Sequence, residues 1–125
     1  MSYELSIKKE NGYLHVQVTG TRTMKTVMSM AAEVLSSCLE HKCRKALVDV
    51  QSMSGSLDPI DSYEFSSNYL PKSATREIKV VVIDLEENQN RYELIAHNAR
   101  KHGFDIHILS DVDKAIELLK EGKWS

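Results

Sequence analysis

Tyr3-Glu4-Leu5-Ser6-Ile7-Lys8-Lys9-Glu10-Asn11-Gly12-Tyr13-Leu14-His15-Val16-Gln17-Val18 is the stretch that decides the fold. Two strand-like segments flank Asn11-Gly12, a dipeptide that supplies both positive-φ corners of a type I′ turn, so the chain opens with an antiparallel hairpin. In the second segment Leu14, Val16 and Val18 alternate with His15, Gln17 and Thr19, the period of a half-buried strand with one wet face. The first segment runs from Tyr3 to Lys8 and forms the sheet edge, where Lys8 and Lys9 discourage further pairing.

After Gly20 the period becomes helical. Thr21 or Thr23 caps a helix that reaches His41, with Met24, Val27, Met28, Ala31, Val34, Leu35 and Cys38 on its sheet-facing stripe. Ala46-Leu47-Val48-Asp49-Val50 is apolar enough for a central strand buried on both faces. A loop from Gln51 to Leu57 follows, and Asp58-Pro59 opens a second helix with aspartate as N-cap and proline at the first helical position. Its inner stripe is read as Ile60, Tyr63, Ser67 and Leu70, broken by Pro71. Ile78 to Asp84 is the fourth strand. A third helix from Glu87 to His102 turns Tyr92, Ile95, Ala96 and Ala99 inward and stops at Gly103. Phe104, Ile106 and Ile108 make the fifth strand, and Ser110-Asp111-Val112-Asp113 opens a last helix with Val112, Ala115, Ile116 and Leu119 inward. Strands joined by such crossovers run parallel, so the sheet is mixed.

The 125 residues make one domain, 1–125. A net charge of -2, from 16 basic and 18 acidic residues, leaves no concentrated basic face for nucleic acid. No apolar run reaches the roughly 18 residues of a membrane span. Met1-Ser2-Tyr3-Glu4 lacks the regions of a signal peptide, so a cytoplasmic location is expected. Cys38 and Cys43 are expected as reduced thiols; His41 lies between them, yet no second ligand pair exists to complete a zinc site. No nucleophile elbow, phosphate loop, dinucleotide turn or paired-carboxylate constellation is present. Asp49 lacks the acidic pair and lysine of a phosphoacceptor site, because the first strand ends in Lys8-Lys9 and the fifth in Leu109-Ser110; it reads as a hydrogen-bonding residue. No catalytic residue, metal or cofactor is assigned.

The loop before the second helix is the place where function is expected. It leaves the C-terminal end of a central parallel strand, where open α/β sheets carry their ligand sites. Ser54, Gly55, Ser56 and Asp58 are therefore the first candidate binding residues, with Tyr63 and Phe65 as anchors on the helix that follows. The competing reading of Ser52 to Asp58 is a flexible turn ended by the Asp58 cap. Met24, Met28, Met30 and Met53 offer soft, adaptable apolar surface, or simply fill the core. Tyr63, Phe65, Tyr69 and Tyr92 either line a cavity between helices and sheet or pack as core with their hydroxyls at the surface.

The initial hairpin, the strand ending in Leu47-Val48-Asp49-Val50, the Ser/Gly loop and the helix after it resemble the STAS domain of anti-sigma-factor antagonists. With the Gly103-Phe104 turn and the Asp111-Val112-Asp113-Lys114-Ala115 helix start, the whole chain is more similar to the SpoIIAA-like proteins, related in fold to Sec14-type lipid-binding domains. The resemblance implies an α/β SpoIIAA/STAS-like domain: a mixed five-stranded sheet, with an N-terminal antiparallel hairpin plus three parallel strands, and four helices. It implies a non-enzymatic regulatory or protein-interaction module whose partner meets Ser54 to Asp58 and the exposed side of the second helix. The family's phosphorylated serine or threonine falls at Asp58-Pro59 here, so the resemblance puts proline at the acceptor position. The Sec14 kinship implies the alternative, a carrier or sensor of a small apolar or acyl ligand, with an apolar pocket under the second or third helix. The hairpin edge leaves monomer and homodimer both open.

Overall fold

Strands β1 (Tyr3–Lys9) and β2 (Leu14–Thr21) pair antiparallel from Lys9 opposite Leu14 to Tyr3 opposite Gly20. The computed structural model describes residues 3–70 and 78–121. Pro71, read above as the stop of the second helix, lies outside them. The hairpin corner departs from the sequence reading. Gly12 has φ +94°, but Lys42 is the only non-glycine with positive φ among the described residues, so Asn11 keeps a negative φ. A type I′ turn needs two left-handed corners, so this corner is not one. Tyr13, whose carbonyl accepts from Glu10 N–H at 2.8 Å, shares a buried cluster with Leu47 and Leu119. Its inward packing directs the chain out of the corner against the local Asn-Gly preference.

Helix α1 (Met24–Glu40) starts at Thr23, where a reciprocal capping box with Thr26 satisfies two amide groups of the first turn. Val27, Val34, Leu35 and Cys38 are buried, and Met24, Met28 and Ala31 pack partly against them, as the periodicity requires. Beyond it come β3 (Lys45–Asp49), the two-residue β4 (Met53–Ser54), α2 (Pro59–Glu64), β5 (Lys79–Ile83), α3 (Glu86–Lys101), β6 (Asp105–Leu109) and α4 (Val112–Glu121). The main sheet order is β1-β2-β3-β5-β6, with β2, β3, β5 and β6 mutually parallel. The mixed sheet and four helices expected from the sequence are present among the described residues. What the sequence did not announce is β4, which pairs parallel with the end of β2 through Gly20–Met53 and Thr21–Ser54. The segment read as a free loop therefore begins as a held strand.

Helix α2 is turned differently from its expected stripe. Ile60 is 80 % exposed and Tyr63 64 %, while Ser67 and Leu70 of the expected stripe are buried, together with Ser62, Phe65 and Ser66. A π-helical turn over Phe65–Tyr69 explains the change: Leu70 N–H donates to the Phe65 carbonyl, five residues back. That wider turn lets Phe65 and Leu70 both point inward, which a 3.6-residue repeat counted from Ile60 does not allow. Asn98 on α3 ties the turn down by donating to Ser66 Oγ at 3.0 Å and Ser67 Oγ at 2.5 Å. Tyr69 donates to the Met28 carbonyl on α1 at 3.0 Å.

Alternation along the strands sorts the core into two faces. Val48, Val80, Val82, Ile106 and Ile108 look toward α1, α2 and α3. Leu47, Val81 and Ile83 look toward Ala115 and Leu119 of α4. Asp111 caps α4 by accepting from Lys114 N–H at 3.1 Å, and Lys45 donates to the Leu119 carbonyl at 2.6 Å near the other end.

Candidate functional site

The C-terminal ends of the parallel strands gather a buried polar clasp. Arg22 follows β2, Val50 follows β3, and Asp84 follows β5. Arg22 and Asp84 form an ion pair at 2.9 Å with side chains 8 % and 3 % exposed. The same guanidinium donates to the carbonyls of Met53 at 3.1 Å, Gly55 at 2.9 Å and Val50 at 3.2 Å. A buried ion pair survives desolvation only when its remaining hydrogen-bonding capacity is met, and here it is. Asp84 Oδ1 accepts from Leu85 N–H at 2.8 Å and from Asn88 Nδ2 at 3.0 Å, while Oδ2 takes the arginine. The guanidinium also lies 5.9 Å from the ring centroid of Tyr92.

This clasp fastens the loop that leads to α2. Arg22 N–H donates to the Ser54 carbonyl at 2.8 Å, completing the short β4 pairing. Gly55 takes φ +77°, a conformation that favours glycine, and its carbonyl then faces the arginine. Ser54 Oγ lies 3.3 Å from Thr21 Oγ1. Asp58 caps α2, accepting from Asp61 N–H at 2.8 Å, so part of the anion-binding capacity of that helix start is already used. Asp49 accepts from Gln51 N–H at 3.0 Å, the strand-end hydrogen bond expected of it.

Ser54, Gly55, Ser56 and Asp58 thus lie together on one exposed loop, and Tyr63 is exposed beyond them. Phe65 must be corrected as a surface anchor. It is 8 % exposed, stacked on Tyr69 with ring centroids 5.7 Å apart, and faces the interior because of the π turn. Arg22, Asp84 and Asn88 were not singled out from the sequence, whereas Tyr92 was expected to line a cavity or pack as core. The one local signal of the first three is a pair of charged residues, each just past an apolar strand, with Asn88 a helical turn after Asp84.

Beneath α1, α2 and α3 the clasp borders a cavity of about 140 Å³. Its wall is almost wholly apolar, with Met30, Phe65, Val80, Ala96 and Ile108 among the contributors and Arg22, Asp84 and Tyr92 the polar ones. Tyr92 is 7 % exposed, and its hydroxyl has no hydrogen-bond partner among the described residues. Cys38, in the same core, is raised to about 11 by burial and then by the neighbouring Cys43, so it stays a protonated thiol with little nucleophilic character. Among the described residues no group of three His, Cys, Asp or Glu side chains could hold a metal ion.

The arrangement of hairpin, parallel strands and helices is shared with solved proteins. An anti-sigma factor antagonist from Mycobacterium paratuberculosis matches with TM-score 0.63 and 13 % identity, covering 95 % of this chain and 95 % of that one. The chain has a SpoIIAA-like fold. An uncharacterized protein from Shewanella loihica, itself described as SpoIIAA-like in fold, matches with TM-score 0.54 and 20 % identity over 94 % of this chain and 93 % of that one. No protein-family model matches the sequence, and no curated protein matches it. Identities this low carry the SpoIIAA-like fold and leave residue roles to this chain's own geometry. No helix among the described residues is long and apolar enough to cross a membrane.

Proposed function

We propose that this protein is a regulatory protein-interaction module that presents the Ser54–Asp58 loop and the outer face of α2 to a protein partner. The observation that carries the reading is the outward aim of Ile60 and Tyr63, 80 % and 64 % exposed, on a helix whose base is fixed by the Arg22 clasp. An apolar and an aromatic side chain held on a rigid support are the kind of anchors that contribute most to protein interfaces. The SpoIIAA-like fold supports the same reading, since one solved protein of this architecture is an anti-sigma factor antagonist. No catalytic step, metal or cofactor is part of the proposal, and the protein acts in the cytoplasm.

The test compares partner recovery by the native chain with recovery by Ile60→Glu and Ser56→Glu, using immobilised protein and quantitative mass spectrometry. Both substitutions are at exposed positions and leave the fold unchanged. A specific partner is lost with Ile60→Glu, its affinity falling roughly thirtyfold, and weakened with Ser56→Glu. Glu117→Lys, on the exposed side of α4, retains it. Equal recovery by all four proteins defeats the assignment of this surface.

A further inference from the structure

Strand β1 pairs only with β2 among the described residues, so one row of its main-chain N–H and C=O groups faces outward. Which row it is follows from the ladder. Glu10 N–H donates to the Tyr13 carbonyl at 2.8 Å, which makes Lys9 and Leu14 a pair without hydrogen bonds of its own. Antiparallel pairs alternate, so Glu4, Ser6 and Lys8 bond to β2, while Tyr3, Leu5, Ile7 and Lys9 aim their N–H and C=O groups away from it. Open edges are ordinarily blunted by shortness, a proline, a bulge or charge. β1 is seven residues long, contains no proline and keeps an unbroken register from Tyr3 to Lys9. Its charges are the one device left, and their pattern is self-complementary. Glu4 and Lys8 stand on the same exposed face, equally far from Ser6.

We propose that β1 is a dimerisation edge, which takes β1 of a second copy of this chain antiparallel across a two-fold axis at Ser6. In that register Tyr3 meets Lys9, Glu4 meets Lys8 and Leu5 meets Ile7, each pair occurring twice by symmetry. The outward-facing residues then fall opposite one another, as the hydrogen-bonded pairs of an antiparallel ladder must. Glu4 and Lys8 fall in the closer, non-hydrogen-bonded pairs, where opposite charges contribute and like charges oppose association. A shift of two residues either way shortens the ladder and sets Glu4 or Lys8 opposite Ser6, so charge and length select one register. Lys8 gives up little, since its present contact with Glu10 is exposed and 3.8 Å long. On the opposite face Leu5 and Ile7, half-buried against the core, gain apolar neighbours. There Lys9 comes to Tyr3, whose hydroxyl donates to Glu33 on α1 at 2.9 Å. The lysines that turn away an arbitrary strand thus admit this one. β6, at the other end of the sheet, has no such symmetry, because a two-fold at His107 sets Asp105 opposite Leu109. The inference stands whether or not α2 binds a partner protein.

Sedimentation velocity of the full chain over a concentration series measures the association. A reversible dimer is expected, with no larger species. Glu4→Lys and Lys8→Glu, both at exposed positions, each set like charges opposite one another twice and weaken the dimer about tenfold. Mixing the two variants restores association to within about threefold of the native chain, because every charged pair of the heterodimer is again opposite in sign. Hydrogen exchange reads the register. Raising the concentration slows the amides of Leu5 and Ile7, while those of Ser6 and Lys8, already bonded to β2, are unchanged. Ser6→Cys oxidises to a covalent dimer, and Gln17→Cys, beside it on β2, does not. The inference is overturned by a chain that stays monomeric up to about 1 mM, or by a mixture that associates no better than either variant alone. Oligomers that grow without closing overturn it as well, since they require β1 to meet a different surface of the next copy.

Discussion

The two faces of the central sheet are built from alternate residues of the same strands and end up unlike each other. On one side Leu47, Val81 and Ile83 meet Ala115 and Leu119 of a single helix, all at most 1 % exposed. On the other, Val48, Val80 and Val82 face three helices that leave a cavity of about 140 Å³ between them. The first face is mainly apolar contact, with Tyr13 in its cluster and His107 on the outermost strand. The second carries the buried Arg22–Asp84 pair, the unpartnered Tyr92 hydroxyl and a π turn. One helix on a sheet can settle until its side chains interdigitate; three helices tied to one another by Tyr69–Met28 and Asn98–Ser66 cannot each settle independently. The difference teaches that one sheet can carry a small, closely covered apolar face under α4 and, opposite it, a larger core that leaves a gap beside a buried ion pair.

The largest effect should come from the clasp. Asp84→Ala leaves the Arg22 guanidinium buried without its counter-charge and is expected to lower unfolding free energy by about 3–5 kcal/mol. Replacing both partners, Arg22→Met with Asp84→Leu, should restore only part of that loss: no charge is then stranded, but the carbonyls of Val50, Met53 and Gly55 lose their donor. Urea denaturation of the native chain and the two variants measures it. If Asp84→Ala loses under about 1 kcal/mol, the pair is not the buried, fully committed contact described above.

A finer test uses adjacent residues of β5. Val81→Ile pushes a methylene into the α4 face and should cost about 1–3 kcal/mol by overpacking. Val80→Ile sends the same methylene into the cavity, where burial worth roughly 0.8 kcal/mol meets little resistance, so stability stays level or rises. One substitution type, one strand and opposite signs would confirm the contrast between faces. Equal losses would mean that the cavity closes when the protein is in solution.

The contrast was only partly legible in the sequence. Strand alternation from Leu14 to Val18 and the stripe from Met24 to Cys38 were readable because each depends on near neighbours and a fixed period. The outward aim of Ile60 was hidden and Tyr63 was read both into the inner stripe and as a surface anchor, since the stripe was counted with an α-helical repeat where the chain takes a π turn at Phe65. Asn11 was assigned a left-handed conformation by local preference, and the inward packing of Tyr13 overrode it. Arg22 and Asp84 stand 62 residues apart and meet only because β2 and β5 flank β3 in the sheet. The loop at Ser54–Asp58 was placed correctly at the strand ends, yet the arginine that holds it gave no periodic signal at all.

The smallest expected effect is a pH response on the packed side. His107 lies opposite Val81 in the β5–β6 register, so it belongs to the α4 face. Burial lowers its pKa from the usual 6.5, with the Arg100 guanidinium acting in the same direction and the Asp105 and Glu93 carboxylates against it. The charged imidazolium is therefore disfavoured in the folded chain. As pH falls below about 6.5 the unfolded state takes up the proton first, and stability declines until the folded-state pKa is passed. Above 6.5 both states are neutral at this residue and it contributes no slope. His107→Gln should flatten the stability profile just below about pH 6.5 while leaving it unchanged at pH 8. An unaltered slope would assign the acid sensitivity to carboxylates, and His107 would then tolerate its charge at the sheet as readily as in water.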